Sequence, residues 1–186
     1  MNAPLPAVQR EAMNARERRQ QRAAVARRIG AGAPGQAGSL DWDTLGQAPA
    51  WLALPDAELS AFQRAVGAVV HAAELRLWID GASIAAVRSA LGEPVWHRLL
   101  NAPSGPTAGI GMSAIGSRLD PDPNCIGENL ARVGTSVLLA ALPPGPLQDV
   151  ARALFAPIPP AEIIAALAES TVARARALLD AAVAAP

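Results

Sequence analysis

The sequence predicts an all-α fold: a single compact multi-helix domain carrying a disordered or loosely helical Arg-rich N-terminal arm. Three observations support this class. Alanine fills 43 of 186 positions and aromatic residues only 3%, a bias that favours helices over strands. From residue 59 onward, large apolar residues recur at three- and four-residue spacing, the period of a helix with one buried face. Clusters of Gly and Pro separate these runs, and such clusters punctuate helices.

Residues 1–50 divide into an Arg/Gln-rich piece and a Gly/Pro/Ala linker from Gly30 to Gly38. Val8, Met13, Val25 and Ile29 are too sparse to bury a continuous stripe. The arm is therefore expected to be disordered or a solvated helix, with the ordered body starting near Trp42 or Trp51. That sets the expected limits at 1–50 for the flexible arm and 51–186 for the helical domain.

Pro55 suits a first helical turn, and Asp56 and Glu58 sit where the helix dipole favours negative charge. Leu59, Phe62, Val66, Val69, Val70, Ala73 and Leu77 then mark the buried face of one long helix ending near Trp78. Asp80-Gly81 breaks it. Ser83 can cap a second helix through Ile84, Val87 and Leu91, stopped by Gly92. Pro94 begins a short third helix carrying Val95, Trp96, Leu99 and Leu100. Each of these large apolar side chains contributes about 1.5–3 kcal/mol when buried.

Residues 101–127, dense in Gly, Pro, Ser, Asp and Asn, read as a long loop that closes on a helix cap at Asn124. A helix from Ile126 to Leu142 places Leu130, Val133, Val137, Leu138 and Ala141 on one side, and Pro143-Pro144-Gly145-Pro146 ends it. A short helix over 147–155 and a break at Pro157, Pro159 and Pro160 follow. The last helix, 160–184, aligns Ile163, Ile164, Leu167, Thr171, Ala175, Leu178, Leu179 and Val183, with Glu162, Glu169, Arg176 and Asp180 off that stripe.

The formal net charge of zero conceals a polarity. Residues 1–28 carry seven arginines against Glu11 and Glu17, a net +5, and the remainder sets nine arginines against fourteen carboxylates, a net −5. A neutral total argues against a dedicated nucleic-acid binder, although the arm alone could touch an acidic partner. A single Cys excludes a disulfide scaffold. No run has the form of a signal peptide or a membrane span. The expected setting is the cytoplasm.

Catalytic chemistry is scarce. There is no Lys, which excludes Schiff-base, Walker-type and Ser-Lys mechanisms. His71 reads as a partly exposed helical residue three positions before Glu74, and His97 as a surface or interface residue. His71, His97 and Cys125 lack zinc-ligand spacing. Asp120-Pro121-Asp122-Pro123-Asn124 opens like a calcium loop, but Cys125 stands where that loop needs Gly and Ala131 where it needs Glu. Gly109-Ile110-Gly111-Met112-Ser113-Ala114 looks like a dinucleotide fingerprint without the strand that must precede it. No metal, cofactor or enzymatic activity is expected. The helices around Ile84–Leu91 and Pro94–Leu100 permit an alternative, a DNA-binding regulator using the Arg-rich arm, but the second offers only His97, Arg98 and Asn101 to bases. What remains is a protein-interaction surface, for which Arg76, Arg88, Trp96, His97 and Arg98 are the candidates by charge and expected exposure; Trp51 and Trp78 read as core.

The block from Trp51-Leu52-Ala53-Leu54-Pro55 continues through Leu59, Val66-Gly67, Leu75-Arg76, Ile79-Asp80-Gly81, Val87-Arg88, Leu91-Gly92, Trp96 and Leu99-Leu100. With the later Gly134, this pattern resembles the SctK (YscK-like) family, the sorting-platform adaptors of bacterial type III secretion systems. The resemblance covers 51–155. It implies a non-catalytic, cofactor-free cytoplasmic adaptor at the inner-membrane secretion apparatus. Its implied partners are the cytoplasmic domain of the inner-membrane ring protein and the pod protein. The matching positions are spaced Leu and Gly residues, which do not locate the binding faces.

Overall fold

A computed structural model describes residues 7–102, 119–155 and 165–184. Among these the regular elements are helical and none is a strand, so the fold is all-α. In chain order the α-helices are α1 (Ala7–Gly32), α2 (Trp42–Gly46), α3 (Asp56–Val70), α4 (Ala72–Leu75), α5 (Gly81–Leu91), α6 (Glu93–Asn101), α7 (Ile126–Ala140), α8 (Pro146–Leu154) and α9 (Ala165–Val183). Two 3-10 turns, Pro34–Ser39 and Ala50–Ala53, lie between α1 and α3. The stretch 103–118, including the Gly109–Ala114 fragment, lies outside the described residues, as do Glu162, Ile163 and Ile164.

The chain forms two compact units. The larger comprises 56–143 and 155–186, and its centre is the crossing of α3 and α7. A Cβ on Gly67 would lie 2.0 Å from the carbonyl oxygen of Leu130, and one on Gly134 1.8 Å from that of Gln63. The two helices therefore meet backbone to backbone, an approach that only glycine permits. Leu59, Phe62, Val66 and Val69 of α3 and Leu130, Val133, Val137 and Leu138 of α7 are buried along them. Helix α9 packs on both. Its buried residues, Ala168, Thr171 and Ala175, are small, and the Thr171 hydroxyl donates to the Leu167 carbonyl at 2.7 Å, satisfying itself within the helix.

The long helix expected to reach Trp78 breaks at His71. There the backbone leaves helical geometry (φ −90°, ψ 12°) before α4 resumes. The break shifts the phase: Ala72 and Leu75 turn inward, while Leu77, assigned to the buried stripe by periodicity, points to solvent. Helix α5 starts earlier than expected. Asp80, not Ser83, is its cap, accepting from the Ser83 amide at 2.7 Å. Gly92, at φ +82°, takes the left-handed conformation that ends α5 and admits α6 directly. Before α7, Asn124 does not cap; Asp122 accepts from the Asn124 amide at 3.0 Å in a side-chain turn.

The smaller unit comprises 1–55 and 144–154. The arm is helical, one of the two forms expected of it, but it is not solvated along its whole length. Residues 7–32 form one helix, solvated around Arg16–Gln20 but with Val25 and Ile29 buried. Two apolar residues four apart suffice because their partners come from elsewhere. Leu45, Ala48, Trp51 and Leu52, together with Leu147, Val150 and Ala151 of α8, complete the core. Gln21 donates to the Ala48 carbonyl at 2.8 Å, and Arg28 donates to that of Leu54. Arg22 lies over the Trp42 ring, 5.7 Å from its centre. The first segment of the smaller unit ends at Pro55, and Trp51 belongs to the core of that unit.

Candidate functional site

The five residues singled out by charge and expected exposure all bear on α6, but in different ways. Helix α5 ends beside α6, and Arg88 reaches across Gly92 to Glu93. Its Nε and Nη2 donate to Glu93 Oε2 and Oε1, each at 2.7 Å. One turn further on, His97 Nε2 lies 2.8 Å from Glu93 Oε1. The hydrogen bond from Arg88 holds the Glu93 carboxyl below the usual carboxylate range and raises Arg88 in return. This exposed triad is a preformed polar patch, with His97 the most solvent-facing member at 63%.

Of the other three candidates, Arg76 and Trp96 are engaged elsewhere. Arg76 donates through Nη2 to the carbonyls of Leu99 and Ala102, at 2.8 and 2.5 Å, so it caps the C-terminus of α6. Trp96 is only 5% exposed and is a core residue, which corrects its selection as a surface anchor. Its neighbours in sequence are polar, but the helical period turns it inward with Val95 and Leu99. Arg98 is half-buried. Glu93 was missed, although its spacing to His97 (four residues along one helix) was a readable signal.

His71 also departs from expectation. It is buried, with Nδ1 3.0 Å from Glu74 Oε2. The Leu119 amide donates to that same oxygen at 3.4 Å. Burial pushes the imidazole pKa below its ordinary value, more strongly than the contact with Glu74 raises it. The neutral ring donates from Nδ1 to the carboxylate, and Nε2 is enclosed without a partner among the described residues. The arrangement ties the helix break to the chain entering the 119–125 turn. At Cys125, the contact with Asp122, followed by burial, pushes the thiol pKa up.

An apolar tip stands between α4 and α5, unannounced by any local pattern. Leu77 is 79% exposed and Ile79 96%, with Trp78 half-buried between them. Among the described residues no three His, Cys, Asp or Glu side chains gather as a metal site, and no helix is long and apolar enough to cross a membrane. No family model, curated protein or solved structure matches the chain. The resemblance to the YscK-like adaptors therefore rests on its residues alone.

Proposed function

We propose that this chain is a non-catalytic helical adaptor of a type III secretion system, linking the inner-membrane ring protein to the sorting-platform pod protein. One observation carries the reading: His71 and Arg76, two of the few chemistry-bearing side chains, are committed to holding helices together. His71 is buried against Glu74, and Arg76 caps α6. The residues that carry the family resemblance fit the same role. Gly67 and Gly134 make the α3–α7 crossing, and Leu59, Val66, Leu75, Val87 and Leu99 are core. A shared pattern of this kind describes a rigid scaffold, whose partners must read its surface.

The test is affinity capture of the full chain from the cells that make it. Recovery of both the ring and the pod protein is expected, and recovery of neither would sink the proposal. Loss of secretion on deleting the gene, restored by the full chain, is the accompanying expectation in those cells.

A further inference from the structure

The tip at Leu77 and Ile79 joins a large exposed apolar surface to a rigid backbone. Isolated exposed leucines are ordinary, but two aliphatic side chains 79% and 96% exposed on one short connection form a patch. Both ends of the connection are pinned. Arg76 is bonded to two carbonyls of α6, and Asp80 caps α5.

The surroundings of the tip are acidic. Ser83 Oγ lies 2.6 Å from Asp80 Oδ2 and 2.7 Å from the Pro121 carbonyl oxygen, which brings the 120–122 turn alongside the start of α5. Asp80, Asp120 and Asp122 are all exposed, and none forms an ion pair with a described residue. An anionic membrane surface would be repelled by this fringe. An occupant must instead carry positive charge together with apolar surface.

The chain carries such an occupant. In α1, Arg16, Arg18 and Arg19 are exposed, and none is paired with a carboxylate among the described residues. Arg16 and Arg19, three residues apart, share a face of the helix. An arginine stem covers apolar surface while its guanidinium engages carboxylates, which matches a tip of Leu77 and Ile79 fringed by aspartates.

We propose that the exposed part of α1 from a second copy of this chain docks on the Leu77–Ile79 tip. Arg16 and Arg19 cover the aliphatic side chains and pair with Asp80, Asp120 and Asp122. Each contact joins two different surfaces on two copies, so the smallest assembly is a dimer. The inference is independent of the adaptor reading, because it concerns the chain alone.

Sedimentation of the purified full chain across a concentration series tests it. At about 50 mM salt the mass is expected to rise towards twice the 19.1 kDa of one chain, and at about 500 mM salt the dissociation constant is expected to rise roughly tenfold or more. Leu77→Ser with Ile79→Ser, and separately Arg16→Glu with Arg19→Glu, are each expected to abolish the dimer while circular dichroism stays unchanged. Combining Arg16→Glu and Arg19→Glu with Asp120→Arg and Asp122→Arg restores it. A monomer at every concentration and salt overturns the proposal. So does a dimer indifferent to salt, to either pair of substitutions, or to the charge exchange.

Discussion

Aliphatic residues lie on both sides of the break at His71, with opposite fates. Before it, Val66 and Val69 lie against a crossing so close that only Gly67 and Gly134 fit between the backbones. After it, Leu77 and Ile79 stand in solvent. Hydrophobicity does not separate the two regions. Helix register does: one non-helical residue turns Leu75 inward and Leu77 outward. Large apolar side chains on the same stretch of chain thus serve as core in one place and as exposed surface in the other.

The comparison is broken most forcefully at the crossing. Gly134→Ala places a methyl group on the Gln63 carbonyl, which no rotamer change relieves. It is expected to destabilise the fold by about 3 kcal/mol or more, despite the roughly 1 kcal/mol that alanine gains over glycine in helix propensity. Urea denaturation of the variant measures it, and an unchanged midpoint would refute the close approach. Next in size is Ile29→Ala in α1, expected to lose about 2–3 kcal/mol. A solvated arm would lose almost nothing, so the same denaturation experiment decides whether the smaller unit has a core.

A weaker effect follows from His71. Its pKa is lowered in the folded protein, so on acidification the unfolded chain takes up the proton first. Stability is accordingly expected to be full above the ordinary imidazole value of 6.5, and to fall as pH drops below it towards the lower folded pKa. His71→Asn should flatten that part of the profile, as thermal melts at stepped pH would record. Smallest is the effect on stability of Leu77→Ser with Ile79→Ser, expected within about 0.5 kcal/mol of zero. A larger loss would mean that the tip contributes to the core after all.

Much of the fold was legible where local chemistry punctuates the chain. Pro94 at the start of α6, Gly92 before it and the prolines after α7 delimit helices by rules that act within a few residues. The His71 break was not legible, since neither Gly nor Pro marks it and the buried pair with Glu74 arises only on folding. Val25 and Ile29 were too sparse to announce a core whose other half comes from α8, far along the chain. Trp96 misled for a related reason: polar neighbours suggested a surface, while the α6 period points inward. The candidate site was half readable. Arg88 and His97 stood out by charge, but Glu93, which joins them, required attention to spacing rather than composition.

Sedimentation of the purified full chain, mixed with the cytoplasmic domain of the ring protein and with the pod protein, puts the proposed bridging role to its sharpest test. One species containing all three, formed only when the chain is present, is expected. A chain that sediments apart from both would refute the proposal.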